Sequence, residues 1–278
     1  MRIRDKVKKP RRPVVLYEIL PPREKDGSLN SYAETISSLL SQTHIDGINI
    51  PEIRDEKRNG AKPVNSLSRA EPRKFGHLLQ DIVGVEAIIN RVVVHQPIKK
   101  ELEWVEETYD KYEIENFIIV GGESRKINYP GPTVNEALNK ISFDNKYHKK
   151  EIFCGGICIP RREEESSNII RKSRNGAEFF TTQVIYDSSK VIEMLKQYHK
   201  KCKQQGTFPR RMLLSFAPVS SQKNIEFLKW LGVEISSETE KYLNGRPGKM
   251  IDRSLDVAIE ILYDTLKYIQ DNKLIIPI

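Results

Sequence analysis

The sequence predicts an α/β protein of the (β/α)8, or TIM, barrel class, with one barrel domain behind a basic N-terminal arm. Short runs rich in β-branched residues alternate with amphipathic stretches, and eight such units fit into about 265 residues. No linker, low-complexity block or short repeat interrupts them. A doubly wound open sheet is the alternative, but the Gly-rich turn expected after its first strand is missing. We therefore assign residues 1–12 to the arm and residues 13–278 to the barrel.

The individual elements are predicted from hydrophobic periodicity and from capping and stop signals. The helix after the first strand is predicted from a capping-box pair, Ser31 and Glu34. Two later helices each carry an apolar face at helical spacing, which we expect to be buried. These faces are Val191, Met194, Leu195 and Tyr198 in one helix, and Leu255, Ala258, Leu262, Leu266 and Ile269 in a helix over 249–270. The predicted strands cover residues 14–20, 45–50, 88–94, 117–120, 151–159, 179–185, 212–216 and 274–276.

The formal net charge of +8 comes mostly from the first twelve residues, which hold seven lysines and arginines and one acid. The remainder of the chain has 39 basic and 37 acidic residues, a balance of +2. We interpret the basic segment as a solvated arm; contacts with phosphates, lipid headgroups or a partner are the alternative. Nucleic-acid binding by the whole protein is therefore not expected.

Other compositional features favour a cytoplasmic protein. No apolar run approaches the roughly 18 residues that a membrane helix needs, and no apolar stretch follows the basic start as in a secretory signal. The three cysteines form no Cys-x-x-Cys pair and no histidines cluster around them, so no metal site is expected. A low, odd cysteine count fits a reducing compartment. The sequence leaves a homo-oligomer open.

Glu18 is the most informative residue at a predicted strand end. It lies between Tyr17 and Ile19 in an otherwise apolar strand, where a carboxylate is unfavourable unless it is paired or used. Burial is expected to raise its pKa, and a protonated carboxyl suits a general acid near neutral pH. The alternative is a structural glutamate paired with an arginine from a neighbouring strand.

Further polar residues follow other predicted strands, each with a structural alternative. Gln183 has a donor and an acceptor on one fork, which suits an amide-containing heterocycle or a satisfied polar layer in the barrel. His95 is either a ligand contact or a satisfied histidine, and its spacing favours the second. Glu123 follows two glycines and either approaches a cationic intermediate or lies exposed in a loop. Lys172 is in a helix and is most simply solvated. Asn49, Pro160 and Phe216 also lie at strand ends.

Four motifs lie in order along the chain and span nearly all of it. They are Tyr17-Glu18-Ile19-Leu20-Pro21-Pro22-Arg23, Tyr129-Pro130-Gly131-Pro132 with Glu136-Ala137-Leu138, Asn175-Gly176-Ala177-Glu178-Phe179-Phe180-Thr181-Thr182-Gln183, and Ala217-Pro218-Val219-Ser220. With them the chain resembles the methylenetetrahydrofolate reductase family, whose catalytic domain is a (β/α)8 barrel. Ile50-Pro51, Ile159-Pro160-x-Arg162 and Leu213-Leu214-Ser215-Phe216 are similar to the divergent, flavin-independent mycobacterial branch.

The resemblance implies reduction of 5,10-methylenetetrahydrofolate to 5-methyltetrahydrofolate with NADH or NADPH. It implies that Glu18 is the acid that helps to open the imidazolidine ring, and that Glu123 stabilises the N5-iminium cation that results. Glu56 lies where the mycobacterial branch has an acidic residue in its site. The resemblance further implies substrate-binding roles for Gln183, Gln222 and Phe216, and cofactor contacts for His95, Lys172 and Pro160.

Departures from the family pattern concern the flavin. Pro51, Gly121 and Ile159 stand where flavin-dependent members usually have Thr, Arg and Tyr. Direct hydride transfer from the nicotinamide is therefore favoured over relay through FAD, although both stay open. Gln222 stands where a pterin-stacking Phe is usual. The same reduction on another pterin is one alternative. The other is a barrel without catalysis that serves as a binding or scaffold protein through its basic arm.

Overall fold

The computed structural model describes residues 1–54, 68–122, 127–245 and 248–278. In these residues seven strands alternate with helices, the arrangement of a TIM-barrel-like α/β fold. The strands are β1 (Leu16–Glu18), β2 (Gly47–Pro51), β3 (Ala87–Val92), β4 (Asn116–Val120), β5 (Phe153–Cys158), β6 (Phe179–Thr182) and β7 (Arg211–Leu213). The α-helices are α1 (Ile3–Lys8), α2 (Leu29–Leu40), α3 (Pro72–Val83), α4 (Ile98–Tyr112), α5 (Val134–Tyr147), α6 (Glu165–Arg174), α7 (Ser188–Gln204), α8 (Gln222–Trp230), α9 (Ser237–Leu243) and α10 (Met250–Asp271).

The strands pair in the order in which they occur in the chain. The four pairs from β1 to β5 are parallel, with Leu16 opposite Gly47 and Ile48 opposite Ala87. A doubly wound sheet reverses its strand order at a switch point. The observed order therefore excludes the alternative fold that the sequence left open.

The chain forms two compact units. Unit 1 comprises Met1–Arg54, Leu67–Ile157 and Arg171–Phe180, and the described part of unit 2 lies within Cys158–Ile170 and Thr181–Ile278. Residues 1–12, predicted to form an arm, belong to unit 1.

The core of unit 1 lies along its parallel strands. Strands buried on both faces need nearly continuous apolar sequence, and β2 to β5 have it. Helix α3 packs Phe75 and Leu79 against this sheet, and both side chains are fully buried. The fully buried strand residues include Ile48, Ile50, Ile88, Ile89, Phe117 and Phe153.

The core of unit 2 is formed by helices α7 to α10 and the loops around them. The predicted apolar face of α7 is confirmed, since Val191, Met194, Leu195 and Tyr198 are all buried. A second cluster joins α8 and α9 to the segment after β6. Its buried members are Tyr186, Val219, Ile225, Leu228, Val233, Ile235 and Leu243.

Two predicted local features are wrong. Residues 274–276 form no strand; instead, the carbonyl of Pro277 accepts a hydrogen bond from the Met212 N–H at 2.9 Å. One such bond does not make a ladder. The N-cap of α2 is Ser28, whose hydroxyl accepts from the Ser31 N–H, so this helix begins before the predicted capping pair.

Helix α10 buries a different face from the predicted one. Ser254, Ile261 and Thr265 are buried, whereas Leu255 and Leu266 are 44% and 45% exposed. The buried hydroxyl groups have partners: Thr265 donates to the Ile261 carbonyl, and Ser254 accepts from the Val219 N–H. Because these bonds satisfy their polarity, small polar side chains can occupy the buried face.

The basic N-terminal segment is folded, which corrects its interpretation as a solvated arm. Residues 3–8 form α1, and the side chains of Ile3 and Val7 are buried in unit 1. The backbone N–H of Ile3 donates to the Glu86 carboxylate at 2.6 Å. The sequence suggested solvation because α1 has one and a half turns, too short for its apolar residues to stand out from the lysines and arginines.

The cations of this segment pair with acids that lie one or two residues before the first residue of strands β2 to β6. Asp46, the most buried of these acids, accepts from Lys6, from Arg12 and from the Val15 N–H. Burial disfavours its charged form, but these hydrogen bonds and cations outweigh that effect and lower its pKa. The other ion pairs are Arg2 with Glu86, Glu115 and Glu151, Arg4 with Glu151, and Lys8 with Glu178.

No helix in the described part of the chain is both long enough and apolar enough to cross a membrane.

Candidate functional site

Glu18 ends β1 and is held by a neutral side chain. It lies opposite Asn49 in the parallel register, and its Oε2 accepts a hydrogen bond from Asn49 Nδ2 at 2.7 Å. The residue as a whole is solvent-exposed, although protein atoms lie close around its carboxyl group. This desolvation raises the pKa of Glu18 above its ordinary value, and the Asn49 hydrogen bond opposes the rise only in part. The predicted direction of the pKa shift is confirmed.

Arg91, which lies on a strand of the same sheet as Glu18, pairs with other glutamates of unit 1. Arg91 on β3 donates from Nε and Nη2 to Glu101, at 2.8 and 2.9 Å, and from Nη1 to Glu52 at 2.8 Å. Its guanidinium stacks on the ring of Trp104 at 4.2 Å. In the described residues Glu18 forms no ion pair. The structural alternative, a carboxylate held by a neighbouring arginine, therefore describes Glu52 and Glu101 rather than Glu18.

Two asparagines on β2 and β3 leave polar atoms without partners on the face of Glu18. Asn49 and Pro51 are two residues apart and so share one face of β2, and Asn90 lies opposite Pro51. The Oδ1 atoms of both asparagines are buried, and no described residue donates to either. Buried amide oxygens are nearly always hydrogen-bonded, so two orphaned ones on one face of neighbouring strands mark a candidate ligand position. The sequence analysis did not identify Asn90, although an amide side chain inside an apolar strand could have indicated it.

His95 lies just beyond β3 and has a similar unsatisfied atom. Its Nε2 is buried and has no partner among the described residues. The ring packs edge-on against Tyr129, with centroids 5.5 Å apart. A Cβ at Gly122 would collide with the Tyr129 ring, so this glycine is explained by aromatic packing rather than by a close approach of phosphate.

In unit 2, Gln183 follows β6 and is oriented by two hydrogen bonds. Its N–H donates to the Cys158 carbonyl at 2.8 Å, and its Nε2 donates to the Leu231 carbonyl at 2.9 Å. No described residue donates to its Oε1. The amide therefore has a fixed direction, with its acceptor available and its donor already engaged.

Three other predicted residues of unit 2 are engaged with protein. Gln222 begins α8 on the surface; its Nε2 donates to Glu240 and its Oε1 accepts from Asn244, both at 3.1 Å. Phe216 is half-buried and lines a narrow cavity with Tyr186. Pro160 is half-buried in the turn after β5.

The three residues that the resemblance assigns to cofactor contacts have different surroundings. Lys172 of unit 1 donates its Nζ to the Ile157 carbonyl, and its side chain passes over Gly156. Pro160 has no donor, which leaves Nε2 of His95 as the available polar atom among the three. Glu56 and Glu123, both predicted to be catalytic, lie outside the described residues.

Comparisons with known proteins give a likeness of fold. No family model matches the chain, and no curated protein matches it in sequence. An uncharacterised protein from Clostridium thermocellum, which binds two copies of 5-methyl-5,6,7,8-tetrahydrofolic acid, superposes with a TM-score of 0.80 at 18% identity, over 99% of this chain and 90% of that one. Two crystal forms of 2,3-dimethylmalate lyase, of the PEP mutase/isocitrate lyase superfamily, superpose with TM-scores of 0.51 and 0.50 at 11% and 12% identity. They cover 98% of this chain and 88% and 84% of the lyase.

Proposed function

We propose that this protein reduces 5,10-methylenetetrahydrofolate to 5-methyltetrahydrofolate with NADH or NADPH. The observation that carries the proposal is Glu18, a carboxyl group with a raised pKa, a neutral amide partner and no ion pair in the described residues. A raised pKa favours the protonated form of the carboxyl group, which can then give its proton to a ligand. The four motifs along the chain supply the substrate class.

In the proposed reaction Glu18 supplies the proton that opens the substrate's five-membered ring. The proton goes to the nitrogen that leaves the methylene carbon, the carbon–nitrogen bond breaks, and an N5-iminium cation forms. The reduction then needs a hydride at that carbon, which NADH or NADPH supplies when bound. Glu18 is left as a carboxylate beside the Asn49 amide, whose hydrogen bond stabilises the negative charge.

The orphaned acceptors of unit 1 suit a pterin. A pterin ring presents an exocyclic amino group and ring N–H groups, which are donors. The Oδ1 atoms of Asn49 and Asn90 are buried acceptors without partners among the described residues. Pairing them with pterin donors would satisfy both sides, whereas a ligand without donors would leave these oxygens desolvated.

A second candidate function is folate binding without reduction. The structurally similar Clostridium protein binds 5-methyltetrahydrofolic acid, which is the product of the proposed reaction, and binding alone would account for that likeness. Reduction of another pterin uses the same groups. A scaffold role through a free basic arm has less support, because Arg2, Lys6 and Arg12 are paired within unit 1.

The test is anaerobic oxidation of NADH and of NADPH by the full chain, driven by 5,10-methylenetetrahydrofolate, with and without added FAD. We expect turnover without FAD and formation of the 5-methyl product. Turnover that requires FAD would overturn direct hydride transfer. Tight binding of 5-methyltetrahydrofolate without turnover under any condition would replace the reductase with the binding protein.

A further inference from the structure

A buried ion network lies at the carboxyl ends of β2 and β3 and has no part in the chemistry proposed above. Arg91 is its centre: two of its nitrogens donate to Glu101 of α4, at 2.8 and 2.9 Å, and the third donates to Glu52 at 2.8 Å. The side chains of Arg91, Glu101 and Glu52 are 2%, 1% and 11% exposed. All three guanidinium nitrogens are therefore engaged, and the network joins two strand ends to a helix.

Glu52 connects this network to the main chain of β3. Its N–H donates to the Asn90 carbonyl at 3.1 Å, and its Oε2 accepts from the Val92 N–H at 3.0 Å. One residue of β2 thus binds the main chain of β3 on both sides of Arg91. Arg54 pairs with the same carboxylate at 2.6 Å, so the two glutamates and two arginines of the network balance in charge.

The network lies next to the orphaned amide oxygens of Asn49 and Asn90. Successive side chains of a strand alternate between its two faces, so Arg91 reaches α4 while Asn90 lies on the other face, with Asn49. One amide is carried by β2 and the other by β3. The spacing of their oxygens therefore depends on how the two strand ends lie relative to each other, and Glu52 fixes that relation through its bonds to β3.

We propose that Arg91 is a positioning residue, which holds Glu52 and thereby fixes the spacing of the Asn49 and Asn90 amide oxygens. The inference rests on the proposed function, in which these oxygens accept from the donors of a pterin. Arg91 acts through Glu52 and does not touch the ligand, since its guanidinium is fully engaged with the two glutamates. A change at Arg91 should therefore weaken pterin binding by altering geometry.

Stability alone does not call for this network. A buried ion network can often be replaced by apolar side chains of similar size without loss of stability. Apolar side chains cannot supply a planar fork that bonds two carboxylates in fixed directions, and neither can lysine. Here the directional bonds end on the main chain beside Asn90, so what they determine is the geometry of the strand ends.

Two variants separate positioning from stability. Arg91→Lys keeps the charge but loses the fork. The double variant Arg91→Met with Glu101→Met removes both buried charges, and its apolar side chains suit the neighbouring Trp104 ring. Circular dichroism melts verify folding, and calorimetric titration with 5-methyltetrahydrofolate gives the dissociation constant per folded molecule. We expect both variants to raise that constant at least tenfold.

Arg73→Lys is the matched control. Arg73 lies over the same Trp104 ring at 4.8 Å, and it pairs with Glu71 at the N-cap of α3 and with Glu107 of α4. It is thus a stacked, ion-paired arginine whose two partners lie outside β2 and β3. Its replacement should leave the dissociation constant within twofold of that of the parent chain.

A folded Arg91 variant of either kind that binds like the parent chain overturns the positioning role, and so does an equal loss of affinity in Arg73→Lys. Failure of either Arg91 variant to fold would make the network a requirement of the fold and would also overturn it. Turnover of the parent chain is measured separately. A parent that binds 5-methyltetrahydrofolate without turnover contradicts the reductase and leaves the positioning role to the variants, whereas a parent that binds no folate contradicts both.

Discussion

In unit 1, the polar groups at the two ends of the strands differ in whether they have partners. At the amino ends, the acids before β2 to β6 are paired with the cations of the N-terminal segment, and Asp46 alone has three partners. At the carboxyl ends, Glu18 has a neutral partner, and Asn49, Asn90 and His95 each leave a buried atom without a partner among the described residues.

Under the proposed function, this difference separates groups that stabilise the fold from groups that meet a ligand. Paired charges at the amino ends lower the free energy of the folded state without needing a ligand. Unsatisfied groups at the carboxyl ends raise it, and such groups are retained where a ligand completes them. In TIM-barrel enzymes active sites lie at the carboxyl face, and the opposite face serves stability. Unit 1 follows the same division.

The largest expected effect is on turnover at the carboxyl end. Glu18→Gln keeps the shape and a hydrogen-bonding group but removes the proton, so turnover should fall about 100- to 10,000-fold. Steady-state oxidation of NADH or NADPH measures it. Glu34→Gln, an exposed change on α2, is the control and should leave the rate unchanged. Equal rates for Glu18→Gln and the parent chain would remove Glu18 from the acid role.

The next largest effect is on stability at the amino end. Asp46→Ala removes the carboxylate beside the buried Lys6 ammonium, which keeps only the main-chain carbonyl of residue 46, and should lower the free energy of unfolding by about 3–5 kcal/mol. Urea unfolding measures the loss. Asp5→Ala, on the exposed side of α1, should change it by about 0.5 kcal/mol or less. A loss for Asp46→Ala as small as that of the control would show that the amino-end pairs contribute little.

The pH dependence of turnover tests the hydrogen bond between Asn49 and Glu18. Its hydrogen bond favours the ionised form of Glu18, so Asn49→Ala should raise the pKa of Glu18 further. The loss of activity on the alkaline side of the profile should then move to higher pH, because turnover needs the protonated acid. A Ser37→Ala variant on the exposed surface of α2 should leave the profile in place. A shift to lower pH, or none, would contradict the role given to Asn49.

The smallest expected effect is a pH dependence of stability with opposite sign at the two ends. The pKa of Glu18 is raised in the fold, so its ionisation destabilises the protein above the unfolded value of about 4.3. Glu18→Gln should therefore stabilise at pH 7 and lose this advantage toward pH 4. The pKa of Asp46 is lowered, so its contribution is present at pH 7 and disappears as pH falls below about 3.9.

Melting temperatures of Glu18→Gln and Asp46→Asn between pH 3 and pH 8 compare the two. The melting temperature of Glu18→Gln relative to the parent chain should rise as pH increases from 4 to 7. The melting temperature of Asp46→Asn relative to the parent chain should fall as pH increases from 3 to 5. Parallel trends for both variants would mean that the two carboxyl groups have similar surroundings.

The sequence predicted the alternation of elements and the direction of the Glu18 pKa shift, because both depend on local features. Apolar periodicity locates α7 and its buried face, and a lone carboxylate in an apolar strand indicates a raised pKa. The residues around Glu18 depend on register instead. Asn90 reaches the same face only because Pro51 lies opposite it, and a register is set by the whole sheet.

Long-range pairing also explains the errors on α1 and α10. The cations of the N-terminal segment pair with acids between 34 and 170 residues away, so composition alone suggests a solvated tail. A signal was present, since Asp46, Glu86, Glu115 and Glu178 each immediately precede a strand. On α10 the predicted face is only half-buried, with Leu255 and Leu266 exposed, while Ser254 and Thr265 are buried.

One cross-measurement tests the division between the two ends most directly. Turnover per folded molecule and free energy of unfolding are both determined for Glu18→Gln and for Asp46→Ala. The expected result is a reciprocal pattern: Glu18→Gln loses turnover and keeps its stability, and Asp46→Ala loses stability and keeps its turnover while folded. A Glu18→Gln variant that turns over normally, or an Asp46→Ala variant that is stable yet inactive, would contradict it.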